Sequence, residues 1–184
     1  GAAVVNKDFD IATAAAKTAA EIGKGNPRLR SRYPWVLYQQ KAYGDSQIEY
    51  QKILDQFDNQ HGNPAIRDAM KDIRMSMSNV ALQQKQIGDA IEYLEQVLDE
   101  FPDDIGALND LGYLWADENQ HLNRSLAMLL KAVAAQPENQ AYRDSLGWVY
   151  YRLGDYEQAQ EQIELAIEKG DGDADAVILD LLAD

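Results

Sequence analysis

Residues 142–167 read YRDSLGWVYYRLGDYEQAQEQIELAI, two apolar patterns on either side of a glycine. Before the glycine, Tyr142, Leu146 and Tyr150 recur at a spacing of four residues, which places their side chains on one face of a helix. Gly154 interrupts the pattern, and glycine is the residue that most often ends a helix. A second apolar pattern of helical spacing follows. The stretch therefore predicts two helices joined by a tight turn.

The same arrangement returns along the whole chain. A small residue marks the start of each second helix, at Ala12, Ser46, Ala90, Ser125 and Ala159, with intervals of 34, 44, 35 and 34 residues. Such a period is typical of a solenoid of helical hairpins. The small residues, with Gly112 and Gly147 on the first helices, mark points where paired helices approach closely. A single hairpin cannot cover its own apolar face, so successive hairpins must stack.

These intervals predict one array over 1–184 that contains about four helix pairs. The predicted units are a half repeat at 7–25, repeats at about 27–60, 71–104, 105–138 and 140–172, and a partial helix at 173–184. The longest interval includes an insertion at 59–64, where we expect a longer loop or an extended helix. Because the pattern begins and ends inside a repeat, we expect the array to be part of a longer polypeptide.

Composition limits the possible functions. The chain has a net charge of −14, 46% hydrophobic and 26% charged residues, and no cysteine. The absence of cysteine excludes disulfides and thiolate chemistry, and no apolar run reaches the roughly 20 residues of a membrane span. The acidic balance disfavours nucleic acid and anionic membrane and favours neutral or basic partners. The composition does not indicate a cellular compartment.

The last two copies carry motifs that resemble the tetratricopeptide repeat family. The residues that carry the resemblance are Leu146-Gly147, Tyr150, Gly154-Asp155-Tyr156 and Ala159 in one copy, and Leu111-Gly112, Trp115, Ser125 and Pro137 in the other. Arg74 and Arg143 stand where the family has an early tryptophan. The resemblance implies an all-α fold, a right-handed superhelix of antiparallel helix pairs. It also implies binding of proteins or peptides, usually in the concave face, and it implies no reaction.

One face of each first helix is the candidate binding surface. In the last copy Asp144, Trp148 and Tyr151 share a face rotated by roughly 100° from the packing face, and in the resembled family this face lines the concave groove. The candidate residues are Trp35, Tyr38, Asn79, Leu82, Asn109, Tyr113, Asp144, Trp148 and Tyr151. Their aromatic and amide groups suit an extended peptide or an amphipathic helix. The alternative is that they pack against the adjacent helix pair.

Charge on this face bears on the class of ligand. The face carries no lysine, which argues against the C-terminal carboxylate that some members of the resembled family bind. Acidic residues near it favour a neutral or basic segment. Arg28, Arg30 and Arg32 are an exception at the amino-terminal end, and they read either as a basic patch or as a solvated helix start.

Catalytic and metal-binding patterns are weak. The two histidines, His61 and His121, fall in predicted turns 60 residues apart, without a serine or cysteine partner. The run from Asp171 to Asp175 has alternating carboxylates but lacks the glycine turn and the terminal glutamate of a calcium loop. We therefore predict no catalytic residue, no metal and no cofactor.

The prediction is a non-catalytic protein–protein interaction scaffold that binds a peptide or helix segment of a partner in its concave groove. A structural spacer, or a self-association module that acts through its terminal repeats, is the alternative. A third possibility is a regulatory segment beside an enzyme domain.

Overall fold

A computed structural model describes residues 2–60 and 62–169, and within those ranges the chain is helical without a strand. The helices are α1 Ala2–Ile22, α2 Pro27–Arg30, α3 Arg32–Gln39, α4 Tyr43–Phe57, α5 Pro64–Gln83, α6 Ile87–Glu100, α7 Ile105–Asp117, α8 Leu122–Ala135, α9 Gln140–Leu153 and α10 Tyr156–Lys169. This confirms the predicted all-α fold. The partial helix predicted at 173–184 lies outside the described residues.

Contacts divide the chain into two compact units, Gly1–Val97 and Leu98–Asp184. In the first unit α1 packs on α3, α3 on α4, and α4 on α5. In the second unit α7 packs on α8, α9 packs on both α7 and α8, and α10 packs on α9. Short connections join α3 to α4, α7 to α8 and α9 to α10, so these contacting neighbours are antiparallel hairpins. The single array and its repeat boundaries stay predictions.

The short turns after α3, α5, α7 and α9 each contain a residue with left-handed backbone. The residue is Lys41 after α3 (φ 61°), Lys85 after α5 (φ 61°), Asn119 after α7 (φ 55°) and Gly154 after α9 (φ 81°). A left-handed residue reverses the chain directly after a helix, which allows a connection of a few residues. Glycine adopts this conformation without the steric cost that a side chain adds, so the glycine turn predicted around Gly154 is found where expected.

Side-chain caps and prolines fix the helix starts. Pro27 and Pro64 occupy the first positions of α2 and α5, where the missing N–H is not needed. The Asn63 side chain accepts a hydrogen bond from the Ala65 N–H at 3.1 Å. Of the described residues of the insertion at 59–64, only Pro64 is helical, and α5 runs from it for 20 residues.

The small residues lie where paired helices meet. A Cβ placed on Gly147 would lie 2.7 Å from the Ile163 Cδ1, and one on Gly112 would lie 2.9 Å from the Leu129 Cγ. The Ser125 hydroxyl donates a hydrogen bond of 2.5 Å to the Gly112 carbonyl oxygen, which joins α8 to α7. The absence of a side chain at each glycine therefore sets the distance between the helices of a pair.

Two arginines, Arg74 and Arg143, stand where the resembled family has a tryptophan, and both bond to neighbouring helices. Buried Arg74 on α5 donates from Nε to the Gln96 Oε1 on α6 at 3.0 Å and forms an ion pair with Asp58 at the end of α4. Arg143 on α9 donates to the Pro137 carbonyl oxygen at 2.7 Å and to the Gln162 Oε1 on α10 at 3.0 Å. Each arginine thus links its own helix to the next helix and to the preceding connection.

Candidate functional site

A small cleft in the first unit brings together three of the predicted binding residues. Its volume is about 160 Å³, and its lining comes from α3, α4 and α5: Trp35, Tyr38, Tyr50, Ser76, Asn79 and Val80. This volume is below the roughly 300–1,000 Å³ of small-molecule sites. The cleft is therefore smaller than a typical small-molecule site.

Helix α3 presents two of its three aromatic residues, Trp35 and Tyr38, to the cleft because the positions between them are used for packing. Val36 and Leu37 are buried in the first unit, whereas Trp35 is 55% exposed and Tyr38 is half-buried. The Tyr38 and Tyr43 rings lie with centroids 5.5 Å apart, which supports the wall of the cleft. Trp35 is thus an exposed aromatic side chain on a helix that buried residues hold in place.

The polar groups of the cleft come from α4 and α5. Tyr50 is buried, and burial raises the pKa of its phenol above the ordinary value of 10.0, with a hydrogen bond to Ser76 acting in the opposite direction. The Asn79 side-chain amide donates to the Met75 carbonyl oxygen of its own helix at 3.2 Å. A donor role of Asn79 toward a partner would require that this bond be shared or exchanged. Leu82 is half-buried and does not line the cleft.

The second unit has an aromatic cluster at the end of α9. Trp148 and Tyr151, both predicted binding residues, stack with centroids 5.5 Å apart and planes inclined by 15°. Tyr156 at the start of α10 joins them, 5.6 Å from Tyr151 and 60% exposed. The Arg152 guanidinium lies 5.5 Å from the Trp148 ring. Sequence reasoning missed Tyr156 because it lies across the Gly154 turn, where helical spacing no longer applies.

The remaining predicted residues of the second unit differ in exposure. Tyr113 is 39% exposed, Asp144 is half-buried, and Asn109 is buried. Asn109 donates from Nδ2 to the Asp110 Oδ1 at 3.1 Å, while its own Oδ1 and the Trp148 Nε1 are buried atoms without a protein partner among the described residues. Side chains on the same face of the first helices are thus exposed in some positions and buried in others.

Asp110 is a carboxylate of the second unit whose pKa is shifted by its surroundings. Burial raises the pKa of its carboxyl above the ordinary 3.8, the Asn109 hydrogen bond lowers it, and the nearby charge of Asp104 raises it further. Burial is the largest of these effects. Burial, followed by the charges of Asp110 and Asp104, raises the pKa of the Tyr142 phenol.

Groups suited to catalysis or to metal binding are dispersed in the described part of the chain. His121 is exposed in the connection before α8, with its ring 4.9 Å from that of Trp115. Over residues 2–60 and 62–169 the structure brings no three histidine or carboxylate side chains into a metal-binding group. His61 and the run from Asp171 to Asp175 lie outside the described residues. The helices described are too short or too polar to cross a membrane.

A family model and a relative of known sequence both match the chain as a tetratricopeptide repeat protein. A family model described as tetratricopeptide repeat matches residues 76–122 and 116–174. A TPR repeat-containing protein of Pseudomonas aeruginosa is 34% identical over 76 residues, which are 41% of this chain and 13% of that protein. The chain therefore corresponds to a small part of that relative's length.

Solved structures resemble the chain over most of its length. MamA from Desulfovibrio magneticus RS-1, residues 41 to the end, has a TM-score of 0.69 and 23% identity, with 90% of this chain and 88% of that chain covered. YrrB, described as a TPR protein with an unusual peptide-binding site, has a TM-score of 0.66 and 17% identity, with 95% and 83% covered. At these identities the likeness shows the fold alone.

Proposed function

Because the chain belongs to the tetratricopeptide repeat family, whose fold is a protein–protein interaction scaffold, we propose that it binds a peptide or helix segment of a partner protein. The binding surface is formed by the exposed residues of the first helices. The proposed role is non-catalytic, as is general for scaffolds of this repeat family.

The cleft beside Trp35 is the observation that carries this proposal. Large aromatic residues dominate the binding energy of protein interfaces when a partner removes them from water. Trp35 and Asn79 offer an apolar surface and an amide side by side, a combination that suits a partner residue and its backbone. Because α3 and α5 are already held by the core of the first unit, binding orders few receptor groups, which preserves affinity.

The second unit supports the same role through its own surface. Tyr113, Tyr151 and Tyr156 are aromatic groups on or near its first helices, and all are at least partly exposed. The unit contains five basic and 19 acidic residues, whereas the first unit contains 12 of each. A neutral or basic segment therefore suits the second unit, because a field of one sign attracts the opposite charge and rejects its own.

The proposal is tested by removing the Trp35 side chain. Peptides would be selected from a display library against the whole chain, and affinities measured by fluorescence anisotropy. Ile48→Ala is the matched control, because Ile48 on α4 has the same 55% exposure and lies outside the cleft. We expect Trp35→Ala to weaken the best peptide by about 30-fold, the roughly 2 kcal/mol of an interface hot spot, and Ile48→Ala to change it less than about twofold. Equal effects of the two variants, with helicity unchanged, would rule out this cleft.

Self-association is a second candidate function, favoured by a different observation. Ile11 and Ile22 on α1 are 61% and 82% exposed, which is unusual for large apolar residues on one helix. If α1 mediates contact between copies, sedimentation should show dimers whose fraction rises with concentration and falls in Ile11→Ser/Ile22→Ser. A monomer at all concentrations would exclude this function.

A further inference from the structure

The first unit contains a second and larger cleft. It has a volume of about 690 Å³, lies between α1, the α2–α3 segment and α4, and shares no lining residue with the cleft at Trp35. Three of its lining residues are basic: Lys17 on α1, Lys24 in the connection after α1, and Arg30 on α2. Two are acidic, Glu21 and Glu49. The half-buried Tyr33 adds apolar surface, whereas Ile53 lines the cleft with only 1% of its surface exposed. The proposed peptide-binding role makes no use of this cleft.

Both acidic residues of the cleft already have cationic partners. The Lys24 Nζ lies 3.2 Å from a Glu21 carboxylate oxygen, and the Glu49 carboxylate receives a bond of 2.6 Å from Lys52, which does not line the cleft. The carboxylates are therefore neutralised by neighbours, one of them from outside. The balance of charge within the cleft is positive.

The other two cations contact neutral groups. The Lys17 Nζ lies 5.1 Å from the centroid of the Tyr33 ring. The Arg30 guanidinium lies 5.8 Å from the centroid of the Phe57 ring and donates to the Gln56 side-chain oxygen. Within the described part of the chain neither cation has a carboxylate partner. Cation–π contacts at exposed positions are weak, so a carboxylate from a partner would form a stronger, charge-assisted bond.

We propose that this cleft binds an acidic segment of a partner protein, with glutamate or aspartate carboxylates on Lys17 and Arg30. The planar guanidinium of Arg30 suits two carboxylate oxygens at once, and the half-buried Tyr33 ring covers an apolar residue between the acidic ones. The positive cleft occurs in a chain of net charge −14. Long-range repulsion from that charge disfavours an extended polyanion such as nucleic acid, whereas a short acidic segment contacts the cleft alone.

The test uses a short fluorescein-labelled peptide in which glutamate alternates with leucine, and the same peptide with glutamine in place of glutamate. Anisotropy with the whole chain should show binding of the acidic peptide at low salt, weakening as salt rises, and binding at least about tenfold weaker for the glutamine peptide. No binding of the acidic peptide to the wild-type chain would overturn the proposal.

Two variants of equal net charge locate the site. Lys17→Gln/Arg30→Gln removes the two cations of the cleft, and Lys41→Gln/Lys85→Gln removes two lysines from hairpin turns outside it. We expect about a tenfold or greater loss of affinity in the first variant and less than about a twofold loss in the second. Equal losses would mean that only net charge matters, and would overturn the proposal.

Two further arms separate neighbouring explanations. Inorganic phosphate at matched ionic strength should not displace the acidic peptide, and displacement beyond that caused by chloride would identify a phosphate site instead. Trp35→Ala should leave affinity for the acidic peptide unchanged, so failure of one cleft is distinguishable from failure of the other. If the double variant loses helicity, the single Lys17→Gln at an exposed position decides the question.

Discussion

Replacement of Gly147 by alanine tests the close approach between α9 and α10. The new Cβ would lie 2.7 Å from the Ile163 Cδ1, 2.9 Å from its Cγ1 and 3.3 Å from the Ala159 carbonyl oxygen. Ile163 is 2% exposed, so its side chain has little room to move. Overpacking of this kind costs about 1–3 kcal/mol, while alanine in a helix interior is favoured over glycine by about 0.5–1 kcal/mol. We expect Gly147→Ala to lower the free energy of unfolding by about 1–2 kcal/mol.

The assay is urea denaturation followed by circular dichroism, with a control that separates propensity from packing. At Gly88 in the first turn of α6 an added Cβ meets no atom within 4 Å. Gly88→Ala should therefore leave the free energy of unfolding unchanged or raise it by up to about 1 kcal/mol. Both variants make the same chemical change, so their difference measures the contact.

A double variant identifies the atom responsible. Ile163→Val alone should cost about 0.5–1.5 kcal/mol, as buried isoleucine-to-valine changes do. In the Gly147→Ala background the same change removes the Cδ1 that is closest to the new methyl, so the double variant should be more stable than the sum of the singles by about 1 kcal/mol. Additive effects, or a Gly147→Ala variant as stable as wild type, would refute the reasoning.

Two further predictions concern charged residues. Because burial raises the pKa of Asp110, its ionised form disfavours the folded state, and stability is lost as pH rises from about 3.8 through the raised folded pKa. Asp110→Asn should therefore raise the melting temperature at pH 7, by an amount that shrinks as pH falls toward 4. A gain independent of pH would contradict this. Arg74→Ala should lower the free energy of unfolding by about 2 kcal/mol, because it removes a buried side chain bonded to Asp58 and Gln96. Arg28→Ala breaks an exposed ion pair and should lower it by less than about 1 kcal/mol. Equal losses of unfolding free energy in urea denaturation would count against a role for burial.

The sequence pattern was sufficient to predict the helix pairs, because helical periodicity is a local property. The turn at Gly154 and the crossings at Gly112 and Gly147 follow from the same local rules, since a left-handed turn and a close contact each favour glycine. The break between α2 and α3 at Ser31 was not predicted. Pro34 lies in the first turn of α3, where proline is tolerated.

Exposure of the candidate residues could not be predicted, because it depends on neighbouring helices. Trp35 and Asn109 were assigned to the same helical face, yet Trp35 is 55% exposed and Asn109 8%. Arg74 was noted only as a departure from the family, since its partner Gln96 is 22 residues away in sequence. The sequence left Arg30 open as part of a basic patch or of a solvated helix start, because the cleft that it lines also needs Lys17 from another helix.

The most direct test of the binding surface uses the indole N–H signals of the three tryptophans as separate reporters. Trp35 is exposed beside its cleft, whereas Trp115 is 3% exposed within the second unit and serves as an internal reference. In a titration of the isotopically labelled chain with a display-selected peptide, the account predicts that the Trp35 signal moves while the Trp115 signal stays. Saturable binding that leaves Trp35 unmoved would contradict it.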